Sequence, residues 1–149
     1  YEKSLQVIKK MVPEAEKTGV SIGIENVWNK FLLSPLEFRN FVDACGSPLV
    51  KAYFDVGNVL ASGYPDQWIR ILGDRISAVH FKDFKRSIAD LDGFVDLLEG
   101  DVPWDAVMQA LKAIKYDGAV TAEMMPPYQH FPEYLLQATS GAMDKILGL

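Results

Sequence analysis

Apolar positions recur along the chain in two alternating rhythms. Leu5, Ile8, Met11 and Val12 are spaced three or four apart and share one helical face. Ala15-Glu16-Lys17 carries that helix past Pro13, and Gly19 supplies its stop. The short β-branched run Val20-Ser21-Ile22-Gly23-Ile24-Glu25-Asn26-Val27 then predicts a buried strand. Ser34-Pro35-Leu36-Glu37 sets an N-cap, a proline at the first helical position and an acid at the third. The helix so begun runs through Phe38, Phe41 and Val42 to Gly46.

The same unit returns three times. Val50-Lys51-Ala52-Tyr53-Phe54-Asp55 reads as a second strand, and Tyr64-Pro65-Asp66 opens a helix through Leu72. Ile76-Ser77-Ala78-Val79-His80-Phe81 is a third strand. A long polar connection, Lys82 to Asp101, leads into a helix that starts at Pro103-Trp104. Gly118-Ala119-Val120-Thr121-Ala122-Glu123 is the fourth strand, and Phe131-Pro132 leads into a last helix ending near Leu147. Alternation of this kind predicts an α/β fold, with parallel strands joined by right-handed crossovers. No Gly/Ser-rich linker or low-complexity tract divides the chain.

Composition narrows the function classes. The chain has 149 residues, enough for one ordinary core, and a formal charge of −5. An acidic chain without a basic run lacks the footprint of a nucleic-acid binder. No apolar stretch is long enough to span a bilayer. The single Cys45 allows no internal disulfide, which fits a reducing, cytoplasmic setting, and without a neighbouring His it reads as a structural thiol.

The chemistry gathers at the strand ends. Each predicted strand closes on a polar, ligand-competent side chain: Glu25, Asp55, His80 and Glu123. Parallel pairing brings all four to one edge, the edge at which α/β folds bind ligands. Three carboxylates and one imidazole repel there unless a divalent cation sits among them. This donor set suits Mn²⁺, Mg²⁺ or Co²⁺, with Zn²⁺ also possible, better than a structural zinc site.

Ile24-Glu25-Asn26, Phe54-Asp55-Val56-Gly57-Asn58, Val79-His80-Phe81-Lys82-Asp83 and Thr121-Ala122-Glu123 closely resemble strands five to eight of the xylose isomerase-like TIM barrels. The likeness is to their sugar and sugar-phosphate isomerases and epimerases, including ketose 3-epimerases and hydroxypyruvate isomerases. It implies a (β/α)8 barrel of which residues 1–149 supply the four C-terminal β/α units as one domain. It also implies that Glu25, Asp55, His80 and Glu123 hold one divalent metal. Glu25 and Glu123 would in addition act as acid and base on opposite faces of the sugar, through an enediolate. Two positions depart from the ketose 3-epimerase pattern: Asn58 stands where those enzymes carry His, and Asn29-Lys30-Phe31-Leu32 lacks their glutamate. Arg86, six residues after His80, matches a substrate-contacting arginine.

Asn58, Lys82, Arg86 and Trp28 are the candidate substrate-binding residues. Lys82, Lys85 and Arg86 would hold a phosphate or carboxylate, or else form a solvated loop face. Trp28, Phe31 and Trp104 would wall a sugar pocket or simply pack, and Trp104 also reads as an anchor at a helix start. Gly57 is expected to relieve crowding in the turn after Asp55. Gly93 and Gly100 mark a flexible loop able to cover the site, and His130 falls at the rim or surface. Two other readings compete with the isomerase. One is an inactive half-barrel or binding module, whose open sheet edges would invite pairing into a homodimer. The other is an endonuclease IV-like phosphodiesterase, disfavoured because its three-zinc cluster needs more than the two histidines present.

Overall fold

The computed structural model describes residues 1–124 and 128–149. Helix α1 (Glu2–Thr18) runs unbroken through Pro13 and ends on Gly19, whose φ of 71° closes the last turn with an N–H donated to the Ala15 carbonyl. Strand β1 (Ile22–Glu25) precedes α2 (Pro35–Ala44). The predicted cap of α2 forms as a reciprocal pair. The Ser34 hydroxyl accepts from the Glu37 N–H at 3.2 Å, and the Glu37 carboxylate reaches back to the Leu33 N–H at 3.0 Å.

Strand β2 (Val50–Asp55) runs directly into a short helix, α3 (Val56–Leu60), before α4 (Pro65–Leu72). Where the sequence suggested a turn after Asp55, the chain is helical, because the Asp55 side chain itself caps α3. Strand β3 (Ile76–Phe81) is followed by a two-stranded antiparallel ribbon, β4 (Asp83–Phe84) with β5 (Phe94–Val95). Helix α5 (Trp104–Ala113), strand β6 (Val120–Ala122) and helix α6 (Pro132–Leu147) complete the order.

Among the described residues, β1, β2, β3 and β6 form one parallel sheet in that spatial order. Its two faces differ. Val50, Ala52 and Phe54 of β2 and Val79 and Phe81 of β3 point at the helices and are buried. They meet Phe38 and Phe41 of α2, Ile69 and Leu72 of α4 and Val107 of α5. Each phenylalanine removed from water in this way contributes about 2–3 kcal/mol. The opposite face carries Lys51, Tyr53 and Asp55 of β2 and Ala78 and His80 of β3, and most of it is only half-buried. Strand β1 is likewise half-buried rather than buried as its composition suggested, because it lies at the edge of the sheet and is covered on one face only.

Candidate metal centre

Parallel register sets the four strand-end residues side by side. Asp55 of β2 pairs with His80 of β3, while Glu25 closes β1 and Glu123 follows β6 by one residue. Each offers one ligand atom, and these atoms all lie within 4.8 Å of one another. The acidic pair Glu25 and Glu123 comes from the two outer strands, with Asp55 and His80 between them.

His80 is the hub. Its Nδ1 lies 3.1 Å from Glu25 Oε1, 3.1 Å from Glu123 Oε2 and 3.9 Å from Asp55 Oδ2. The Tyr53 ring packs on the imidazole with centroids 4.1 Å apart and fixes its plane. One ring N–H serves one acceptor well, so three carboxylates cannot all be satisfied by it. Asp55 Oδ2 and Glu123 Oε2 are buried and have no hydrogen-bond partner.

The rest of Asp55 is tightly held. Its Oδ1 accepts from the Asn58 N–H at 2.7 Å. Asn26 clamps its main chain, donating from Nδ2 to the Asp55 carbonyl at 2.9 Å and accepting from the Asp55 N–H at 2.8 Å. Burial pushes the Asp55 carboxyl up to about 8, only partly opposed by the Asn58 hydrogen bond and the nearby Lys82. Burial also raises Glu123, but its hydrogen bond from Lys82 more than compensates, and its carboxyl falls below the ordinary value. Two carboxylates in one cluster are thereby driven in opposite directions.

The donor chemistry fits a divalent cation. Three carboxylates and one imidazole with two orphaned buried oxygens are an oxygen-rich set of the kind that holds Mn²⁺, Mg²⁺, Co²⁺ or Zn²⁺. Ligands on opposite sides of such an ion stand about 4–5 Å apart, and no two of these ligand atoms are farther apart than 4.8 Å.

The remaining sequence candidates divide. Lys82 is not on a solvated face: it is buried, with Nζ 3.0 Å from Glu123 Oε1 and 3.7 Å from Asp55 Oδ2. Arg86 is exposed, and its backbone N–H donates to Asp101 Oδ2. Trp28 donates from Nε1 to the Asn58 carbonyl at 2.8 Å and packs against Phe84 and Phe94. With Asn26, Leu32, Asn58, Val59 and Trp68 it lines a cavity of about 290 Å³. The Asn58 side chain donates to the Asn26 carbonyl, tying the ends of β1 and β2 together.

Phe31 packs between Tyr1 and Phe41, and Trp104 packs on Phe81, the structural alternative in both cases. His130 is exposed, and Cys45 is buried with Sγ against the Phe41 carbonyl.

The loop of residues 82–101 is not a loose cover. Its centre is Asp83, which is 1% exposed and accepts from the N–H groups of Phe84, Leu98 and Val102 and from Trp104 Nε1. A Cβ on Gly100 would overlap that carboxylate, and one on Gly93 would press into the Phe84 ring. These glycines therefore mark close packing. Gly57 does the same: a Cβ there would stand 2.6 Å from the Lys82 carbonyl oxygen. The sequence reading missed Asn26 as a clamp and Asp83 as a hub. The only trace of them is the place of Asn26 next to Glu25 and of Asp83 three residues after His80, in Ile24-Glu25-Asn26 and His80-Phe81-Lys82-Asp83.

Successive β/α units with ligand-competent side chains at the carboxyl ends of parallel strands define an α/β protein of the TIM-barrel type. The chain belongs to the xylose isomerase-like TIM barrel family, whose pattern it matches over residues 1–144. It is 29% identical over 126 residues to a D-psicose 3-epimerase of Enterocloster bolteae, covering 81% of this chain and 39% of that protein. Its fold is similar to that of the IOLI protein crystallised with a zinc atom, at a TM-score of 0.85, 21% identity and coverage of 98% of this chain and 55% of that one. It is also similar to a D-psicose 3-epimerase of Clostridium cellulolyticum H10 crystallised with D-tagatose, at a TM-score of 0.77 and 19% identity over 98% of this chain and 55% of that one. The chain thus spans between about two fifths and slightly over half of the length of these relatives. Among the described residues no helix is long and apolar enough to cross a membrane.

Proposed function

We propose that this chain carries the metal and proton-transfer centre of a divalent-metal-dependent isomerase or epimerase acting on a sugar or sugar phosphate. The observation that supports it most is the convergence of Glu25, Asp55, His80 and Glu123 with two buried carboxylate oxygens left unbonded. Relatives named as D-psicose 3-epimerases point to the same class of reaction.

The four residues would hold the ion. When bound, a divalent cation would polarise a carbonyl and stabilise the negative charge that develops as the neighbouring carbon loses its proton. Glu25 and Glu123 then supply the proton traffic. Their strands are the two outer ones of the row, so a carbon bound above Asp55 and His80 would have a carboxylate on either side. One removes a proton and the other returns one to the opposite face or to the adjacent carbon. Glu123 is suited to start as the base, because Lys82 keeps it ionised. Asp55, capped and clamped on both sides, serves as a fixed ligand. Trp28 and Asn58 would border the substrate where the cavity opens, and the exposed Arg86 would take a distal anionic group.

The test is metal analysis of the full chain followed by a panel of ketoses and ketose phosphates. Glu123→Gln is expected to lower turnover by about 10²–10⁴-fold while leaving the fold intact. Full activity in that variant excludes the mechanism. Metal binding without turnover on any substrate supports the binding-module reading instead. If the outer strands β1 and β6 pair between copies, light scattering will report a dimer, whereas a monomer excludes that pairing.

A further inference from the structure

Lys82 has no place in the scheme above beyond its contact with Glu123, yet it is among the most enclosed charges in the molecule. Its side chain is 10% exposed, its Nζ sits 4.8 Å over the Phe94 ring, and its ammonium faces Glu123 and Asp55. Its main chain is fixed from both sides. The Lys82 carbonyl is pressed against Gly57 in the first turn of α3, the helix that Asp55 caps. The next residue, Asp83, is bound by four donors from the following loop. A lysine rooted in this way is not a mobile surface group. Among the described residues, no other lysine or arginine bridges to Glu25, Asp55 or Glu123.

We infer that Lys82 is the built-in monovalent counter-cation of the centre, completing its charge balance and limiting how tightly a divalent ion is held. The count is simple: with one divalent ion bound and all three acids ionised, Glu25, Asp55 and Glu123 would carry three negative charges, and Lys82 with that ion three positive ones. The geometry divides the work. Lys82 takes Oε1 of Glu123, and Oε2, the oxygen beside His80, stays directed at the cluster. An ammonium a few ångströms from the carboxylates repels a divalent ion, and low-dielectric surroundings strengthen that repulsion. Loss of one orienting hydrogen bond works the other way but is the smaller effect. Without Lys82 the centre should therefore hold its ion too tightly, and the ion-free cluster should be less stable.

This inference rests on the proposed metal centre, and one experiment separates the two. Wild type, Lys82→Met and Lys82→Arg are stripped of metal and titrated with Mn²⁺ alone at pH 7 by calorimetry, with melting curves before and after addition. Lys82→Met is expected to bind Mn²⁺ at least about 10-fold more tightly than wild type and to melt lower without it. Lys82→Arg, which keeps the charge, is expected to stay within about 3-fold of wild type. A merely structural lysine would weaken binding when removed, so Lys82→Met affinity equal to or below wild type overturns the inference. Wild type that binds no Mn²⁺ overturns the metal centre itself. Should Lys82→Met not fold, the double variant Lys82→Met/Glu123→Gln, which removes the partner charge as well, is expected to fold, and its failure overturns the charge balance.

Discussion

Two aspartates lie buried at the same end of the sheet and have opposite fates. Asp83 is enclosed by donors: three backbone N–H groups and the Trp104 indole point at its two oxygens. Asp55 is fully buried too, but only Oδ1 is served, by the Asn58 N–H, while Oδ2 has no hydrogen-bond partner and stands 3.7 Å from Lys82 Nζ and 3.9 Å from His80 Nδ1. A buried carboxylate saturated by the protein's own donors is a structural pin. One left half-bonded beside acids and an imidazole is held ready for something the chain does not itself supply. The same residue type, 28 positions apart, becomes scaffold in one place and chemistry in the other.

The contrast is sharpest when the pin is removed. Asp83→Ala strands four donors around a cavity and is expected to cost about 3–5 kcal/mol. That corresponds to a melting temperature lower by roughly 10–15 °C in a scanning calorimeter. A loss no larger than that of the matching change at Asp55 would break the comparison. Gly100→Ala should act on the same pin from outside, because the new methyl overlaps the carboxylate and lies 2.6 Å from the Phe84 nitrogen. About 1–3 kcal/mol of destabilisation by denaturant titration is expected.

Asp55 should show itself through pH. Its folded carboxyl titrates at about 8 rather than near 3.8, so the folded chain keeps a proton that the unfolded chain has released. That stabilisation is complete below about pH 4 and is lost as the pH rises to about 8. Glu123, shifted the other way, acts only below its ordinary range of about 4.5. The metal-free chain is therefore expected to melt progressively lower from pH 5 to 8, and added Mn²⁺ should recover more of the loss at the upper end, where the ion competes with fewer protons. A flat melting profile would count against the buried, unpaired Asp55 oxygen.

The smallest effect is expected from Asp55→Asn. It keeps an acceptor for the Asn58 N–H and gives the acidic cluster a donor in place of a charge. Metal-free Asp55→Asn should match or exceed wild-type stability at pH 8 by about 1 kcal/mol, while Mn²⁺ no longer raises its melting point. An aspartate whose loss stabilises the chain but removes its ion response is the opposite of Asp83.

Much of this molecule was legible in its local pattern. The helix stop at Gly19, the Ser34–Glu37 cap, the limits of β2, β3 and α4, and the placing of Glu25, Asp55, His80 and Glu123 at strand ends all follow from residues a few positions apart. Spacing of two or of three and four decides which face a side chain takes, and parallel pairing then brings four strand ends together wherever the strands occur in sequence. Where the pattern misled, the reason was a partner far along the chain. Gly93 and Gly100 read as marks of a flexible covering loop, but the groups packed on them belong to Phe84, Lys85 and Asp83. Lys82, Lys85 and Arg86 looked like one basic patch, yet Lys82 turns inward to Glu123, which follows another strand.

The sequence by itself therefore determined the order of elements, their caps and the set of side chains delivered to one edge. Tertiary structure alone decided which buried carboxylate is satisfied and which is not. Asp83 owes its role to donors 15, 19 and 21 residues away, and Asp55 is clamped by Asn26, 29 residues upstream. Hydrogen-bond saturation is a property of a filled volume, and no local spacing encodes what the fold brings into that volume.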